Sequence, residues 1–268
     1  MICFDTPVPH FRFEHLSRYA DRVSHLVSTR LGQCRSDFTV GLNGYRAADE
    51  VLANREQLAH VLGIELRDLV FAQQVHGHTV AIIGEQQRGL GAFERSTALS
   101  STDALVTATS GIGLVALAAD CVPLLIYDPI RHVAASVHSG WRGTAARIAQ
   151  RAVAAMVEHH GCSPADLLVG IGPSIGSCCY EVGHDVAQQV QQAVGADGQL
   201  FSNNIVELAR GDKPHLNLWE ANRQLLLQMG VNAQNIEVAG LCTRCNSNRF
   251  FSARTGDEGR FGAFIALK

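Results

Sequence analysis

Residues 102–144 read TDALVTATSGIGLVALAADCVPLLIYDPIRHVAASVHSGWRGT, and the fold turns on this stretch. It holds four short apolar runs, ALVTA (104–108), GIGLVALAA (111–119), PLLIYD (123–128) and HVAASVHSG (132–140), parted by Gly, Asp-Cys or Asp-Pro breaks. Apolar runs of this length bounded by turn formers read as strands. The links between them are too short for a crossover helix, which rules out a clean βαβ rhythm and predicts a mixed sheet core.

Working outward, AADEVLANREQLAHVL (47–62) places Val51, Leu58 and Val61 on one helical face, with Gly63 as the stop. Apolar runs at 69–72 and 79–83 flank QQVHG (73–77), predicting two strands that meet at a turn carrying His76 and Gly77. The Gly-rich polar segment 84–101, ending in STALSST, predicts a mobile surface loop that could act as a lid. On the other side, TAARIAQRAVAAMVEHH (144–160) predicts one helix burying Ile148, Ala152, Ala155 and Met156 and ending at Gly161. A strand and a glycine-rich turn follow in LLVGIGPSIGSCCYEVG (167–183), and residues 184–195 and 218–230 repeat the helix-then-Gly pattern. IEVAGL (236–241) and AFIALK (263–268) add two strands. The expected class is α/β (α+β), a mixed sheet core with outer helices. No repeat, low-complexity tract or Pro/Ser linker divides the chain, which predicts a single domain over 1–268.

With 47% hydrophobic and 18% charged residues, a chain of 268 residues can bury a large core without disulfides. A net charge of −3 lacks the basic excess that phosphate backbones or anionic membranes select, so no nucleic-acid partner is expected. Residues 1–13 lack a charged segment followed by a continuous apolar one, and no apolar run approaches bilayer length. A cytoplasmic protein with no membrane partner is expected, as a monomer or small homo-oligomer. Eight cysteines (3, 34, 121, 162, 178, 179, 242, 245) in such a chain read as reduced thiols or metal ligands.

Three residues stand out as ligands. His76, Cys121 and His138 each sit at a predicted strand end beside a small or turn-forming residue. Two imidazoles and a thiolate suit zinc, whose catalytic sites take three protein ligands and keep a fourth position open. Copper also accepts such a set, usually with a weak axial Met, and none lies near these segments. The spacings match no short zinc motif, and on spacing alone a buried thiol and two satisfied histidines are the commoner case. A Cys–His nucleophile pair requires the same proximity as two ligands of one metal.

Arg30, Arg55, Arg142, Arg254 and Arg260 lie in polar or glycine-rich surroundings and point to an anionic substrate, although each taken singly is more often solvated. Trp141 reads as core. Cys242-Thr-Arg-Cys245 is a lone CxxC and reads as two buried structural thiols, while adjacent Cys178 and Cys179 in an extended chain would face opposite sides.

Taken together, QVHG (74–77), TDALVT (102–107), AADCVPLLIYDP (118–129), HSGWRGT (138–144), IGPSIGSCCYEVG (171–183), CTRC (242–245) and FFSARTGDEGR (250–260) resemble the YfiH-like laccase-domain family over nearly the whole chain. The resemblance implies a layered α-β-β-α fold and a zinc site at His76, Cys121 and His138. It implies a purine nucleoside phosphorylase acting on adenosine, inosine, guanosine and methylthioadenosine with purine nucleoside and phosphate as partners, and an adenosine deaminase activity. Two alternatives come with it: a copper-dependent polyphenol oxidase, and a hydrolase editing the peptidoglycan precursor UDP-muramoyl-serine with Cys121 as nucleophile. Laccase chemistry requires many histidines in HxH pairs, which weighs against the oxidase. Within this reading Asp120 orients a ligand or accepts a proton, and Arg55 and Arg142 bind substrate, Arg55 through phosphate or ribose. The chain departs from the family at FTVGLNGYRAADE (38–50), where members carry SLNLG followed by GDD and Thr39 takes the place of the Asn, a change expected to alter substrate preference and leave metal ligation alone.

Overall fold

A computed structural model describes residues 1–32, 37–195, 205–207 and 213–268. Its strands are β1 (Ile2–Phe4), β2 (His10–Arg12), β3 (Val23–Ser28), β4 (Leu69–Val70), β5 (Val80–Ile83), β6 (Ala104–Thr107), β7 (Gly113–Ala118), β8 (Val122–Asp128), β9 (Val133–Ser139), β10 (Leu168–Ile171), β11 (Val206–Glu207), β12 (His215–Leu216), β13 (Ile236–Val238) and β14 (Phe261–Leu267). The helices are α1 (Glu14–Ser17), α2 (Ala48–Leu62), α3 (Trp141–Ala145), α4 (Ile148–His160), α5 (His184–Gly195) and α6 (Leu218–Gln228).

The four apolar runs of 102–144 are all strands, but they divide between two sheets. One sheet runs β1-β2-β3-β14-β7-β4 and is antiparallel up to its β7–β4 edge, which is parallel. The other runs β13-β10-β8-β9-β6-β5, antiparallel in the middle and parallel at both edges. The chain therefore changes sheet between β6 and β7 and again between β7 and β8. The second of these links is only residues 119–121, so Asp120 and Cys121 sit at the crossing.

Side-chain alternation on β14 shows how the layers form, because successive residues of a strand face opposite sides. Phe261, Ala263, Ile265 and Leu267 pack between the sheets with Leu114, Leu125 and Tyr127. Phe264 points the other way, into a cluster with Leu58, Ala59 and Leu62 of α2. On the far side, Val122, Leu124 and Ile126 of β8 and Val133, Ala135 and Val137 of β9 pack against Ile148, Ala152 and Met156 of α4 and Leu225 of α6. The order is helix, sheet, sheet, helix, the layered α-β-β-α arrangement with mixed sheets.

Several local expectations change. The buried face of α2 is Val51, Arg55, Leu58, Ala59 and Leu62, with Val61 only half-buried, and Gly63 ends the helix in the left-handed region at φ 79°. The helix expected over 144–160 is broken, since Arg147 adopts φ 58° and separates α3 from α4, and Ala155 is half-buried. β4 and β5 do not meet at a turn. They lie in different sheets, and the segment carrying His76 crosses from one to the other. The segment 84–101 is pinned to β4 and the strand end after it: Ala92 is buried, the Phe71 and Gln73 N–H groups donate to the Leu90 and Leu99 carbonyls, the Leu99 N–H donates to the Phe71 carbonyl, and short 3-10 turns span Glu85–Gln87 and Arg95–Thr97, with 93–97 exposed. Among the described residues no helix is long and apolar enough to cross a membrane.

Phe264 is fully buried and meets Phe71 edge-on with ring centroids 6.5 Å apart. Replacing it by Ala is expected to lower the free energy of urea unfolding by about 3–5 kcal/mol. A loss under about 0.5 kcal/mol, the usual range of surface changes, would contradict the seating of α2 on this face.

Candidate metal centre

The β4–β5 and β7–β8 crossings open at the same end of the sandwich, and the three expected ligands converge there. His76 lies on the β4–β5 crossing, Cys121 on the β7–β8 crossing, and His138 near the end of β9, opposite Pro123 in the β8–β9 ladder. Val122 and Val137 bury toward α4, so alternation turns Cys121 and His138 to the opposite face. One donor atom from each of His76, Cys121 and His138 lies within 4.8 Å of the others. The two imidazoles meet edge to face, with centroids 4.9 Å apart.

One carboxylate positions both histidines. Asp103, directly before β6, accepts from the backbone N–H groups of Gly77 at 2.8 Å, His76 at 3.0 Å and Val75 at 3.3 Å. Its Oδ1 also accepts from His138 Nδ1 at 2.8 Å, which leaves Nε2 for a metal. His76 has φ 61°, a backbone conformation that costs a non-glycine residue about 1–2 kcal/mol and needs outside support. The three converging N–H groups supply it. Burial favours the neutral carboxyl of Asp103, but the hydrogen bond from His138 and those from the loop outweigh it and hold the group below its usual range. Asp103 is not among the candidates that the sequence singles out, although it lies within the TDALVT motif; a metal-ligating histidine's need for a carboxylate partner is the available signal.

The donor set fits a thiophilic transition metal. Burial raises the Cys121 thiol, yet the imidazoles of His138 and His76 overcome that and bring it down to about 6, a thiolate near neutral pH. His138 moves the opposite way, to about 9: burial disfavours its charge, but Cys121 and Asp103 favour it more. Gly140 of the HSGWRGT motif is a spatial requirement, because a Cβ there would sit 2.9 Å from Cys121 Sγ and 3.1 Å from His76 Cδ2. An HxH pair exists at His76 and His78, but His78 is exposed and does not join the cluster.

The three ligands open onto a cavity of about 550 Å³ lined by both sheets and by loops at their ends. That size suits a small-molecule ligand. Gly41, Leu42 and Asn43, from the stretch that departs from the family pattern, form part of its wall. Of the five arginines singled out, Arg55, Arg254 and Arg260 reach the cavity, and Arg95 joins them unannounced. Arg30 instead pairs with Asp37 and Asp257. Arg142 is exposed and stacks its guanidinium 4.3 Å from the Trp141 ring, and its charge acts on Tyr180 in the cavity wall.

Asp120 and Arg55 line the same cavity and also tie its walls together. Asp120, with φ 87°, accepts from Thr243 Oγ1 at 2.5 Å and from the Arg254 N–H at 2.8 Å, so its carboxylate moors two loops beside Cys121. Arg55 is 2% exposed and donates from Nε to the Val40 carbonyl and from Nη1 to those of Gly91 and Ala92, with its guanidinium 3.7 Å from the Phe71 ring centroid. Burial pushes it down to about 9, which leaves it cationic at neutral pH. Arg55 thus braces the cavity wall. Arg55→Met leaves three carbonyls without their donor, at about 1–3 kcal/mol each. A fall in thermal stability with unchanged metal content is expected, and unchanged stability would contradict the bracing role. Asp103→Asn is expected to weaken metal binding about 10–100-fold in a chelator competition. Unchanged metal affinity would remove Asp103 from the site.

Residues 24–268 match the family model described as multi-copper polyphenol oxidoreductase laccase. Purine nucleoside phosphorylase YlmD of Bacillus subtilis (strain 168) is 35% identical over 230 residues, 85% of this chain and 81% of the relative. Adenosine deaminase RL5, from an unknown prokaryotic organism, is 39% identical over 206 residues, 76% of each chain. The crystal structure of Bacillus licheniformis hypothetical protein YfiH is similar at a TM-score of 0.88, with 34% identity and 98% of both chains covered. The chain therefore belongs to the multi-copper polyphenol oxidoreductase laccase family, the YfiH-like family that its ADC and HSGWRGT motifs resemble.

Proposed function

We propose that the protein is a zinc-dependent purine nucleoside phosphorylase with adenosine deaminase activity. The observation that carries this reading is the His76–Cys121–His138 trio opening onto a nucleoside-sized cavity rimmed by guanidinium groups. Relatives named purine nucleoside phosphorylase and adenosine deaminase support the two activities. Three protein ligands leave a fourth position open, and zinc bound there would supply a Lewis acid and an acidified water suited to deamination.

The chain's own residues do the rest. Asp103 holds His138 Nδ1 and the 75–77 backbone, so both imidazoles are oriented before a substrate arrives. Tyr180 lines the cavity, and burial raises its phenol to about 12, so it keeps its proton at neutral pH and offers a hydrogen-bond donor. Phosphorolysis needs an anion beside the ribose, and Arg254, Arg260 and Arg95 supply the charge. Arg55 acts on that site through the wall it braces. Asp120 acts by mooring Thr243 and Arg254 beside Cys121.

A second reading has its own observation. Cys121, His138 and Asp103 line up as thiolate, imidazole and carboxylate, the arrangement of a hydrolase nucleophile. In that role Cys121 would form a covalent adduct with a cell-wall precursor. As a ligand it would instead be shielded from alkylation in the zinc-loaded, active enzyme.

Product analysis tests the proposal. Adenosine with phosphate is expected to give adenine and ribose 1-phosphate, and adenosine with water alone to give inosine and ammonia. Cys121→Ala should abolish both, and either activity surviving in that variant would overturn the assignment. Arg260→Ala should raise the KM for phosphate about tenfold or more, as loss of one charge-assisted hydrogen bond implies. Its zinc content should not change.

A further inference from the structure

The cysteines outside this site converge as well. Cys178, Cys179, Cys242 and Cys245 have all four Sγ atoms within 4.8 Å of one another, and Cys245 Sγ lies 3.6 Å from that of Cys178 and 3.4 Å from that of Cys179. The sequence pattern predicts these residues apart, with Cys178 and Cys179 on opposite faces of an extended chain and the CxxC as two buried thiols, and the structure differs on both counts. The backbone turns tightly here, with the N–H groups of Cys179 and Tyr180 both bonding the Gly176 carbonyl, and a turn brings neighbouring side chains to one side. Only Cys242 is buried, while Cys178 and Cys245 are exposed.

We propose that these four cysteines form a second metal site, a closed zinc tetrathiolate that clips the loop after β10 to the loop after β13. With zinc–sulfur bonds of about 2.3 Å, a tetrahedron has sulfur–sulfur edges of about 3.8 Å. The observed separations approach this value without reaching the ~2.05 Å of a disulfide. Four thiolates fill a tetrahedral shell and leave no open position, so the site is structural. Four neighbouring thiols cannot all ionise beside one another without a cation. Zinc binding would release their protons and balance the charge.

The clip reaches the cavity through the next residue on each loop. Tyr180 follows Cys179 and lines the wall; Thr243 follows Cys242 and donates to Asp120 beside Cys121. Ser174 and Thr243 also share a backbone hydrogen bond, so the two loops are already in register. The inference rests on the sulfur geometry alone and does not depend on the nucleoside reading.

Metal counting tests it. Protein purified anaerobically and loaded with excess zinc, then freed of unbound ion, is expected to hold two zinc ions per chain. Cys245→Ser should hold one, and His138→Ala should also hold one, because each removes a different site. Cobalt(II) loading of His138→Ala should give the sulfur-to-cobalt charge-transfer bands of a four-thiolate site. Alkylation of the wild-type protein, read by mass spectrometry, keeps the test independent of whether Cys245→Ser folds: the four thiols should be protected by zinc and labelled after chelation. One zinc per chain in the wild-type protein, equal labelling with and without zinc, or a disulfide among these cysteines in the anaerobic protein would each overturn the site.

Discussion

The carboxylate of Asp103 is the constraint on which the metal centre depends. A single side chain accepts three backbone N–H groups from the 75–77 loop and the Nδ1–H of His138. It thereby sustains the left-handed backbone of His76 and selects the tautomer of His138 together. Two ligands contributed by different elements, one on a loop and one on a strand, are referred to the same fixed group. Their separation from Cys121 then follows from the β8–β9 register, which pairs Val122 with Ser139.

The fold makes this convergence possible through short connections. A two-sheet sandwich built from consecutive strands must send its chain from one sheet to the other, and here two such crossings open at the same end. Residues on a crossing belong to neither core face, so their side chains can be polar and partly exposed. His76 and Cys121 occupy those positions, while α2 and α4 close the outer faces. Arg55 extends the same logic to the wall. A buried cation bonded to three loop carbonyls keeps residues 91–92 against α2.

Much of this was readable in the sequence. The strands of 102–144, the stop at Gly63 and the ligand trio all show as apolar runs and turn residues, and the motifs supplied the specificity that ligand spacing lacked. The parts that were not readable are tertiary. Asp103 meets His138 across 35 residues, and nothing local marks an acid before a strand as a histidine's partner. Arg55 interrupts an apolar helical stripe, a pattern that also describes an exposed charge. The break at Arg147 depends on a single positive φ in an otherwise good helical sequence. Cys178 and Cys179 were read with the geometry of a strand, whereas a tight turn governs them.

The cavity joins these features into one account, with ligands at its base, guanidinium groups in its wall and a cysteine cluster behind two of its loops. Anomalous diffraction at the zinc edge, from crystals grown with zinc and adenosine, tests it most directly. The account predicts a zinc peak within about 2.0–2.3 Å of one donor atom each of His76, Cys121 and His138, with nucleoside density in the adjoining cavity. Zinc absent from those three residues, or the nucleoside bound elsewhere on the protein, would contradict it.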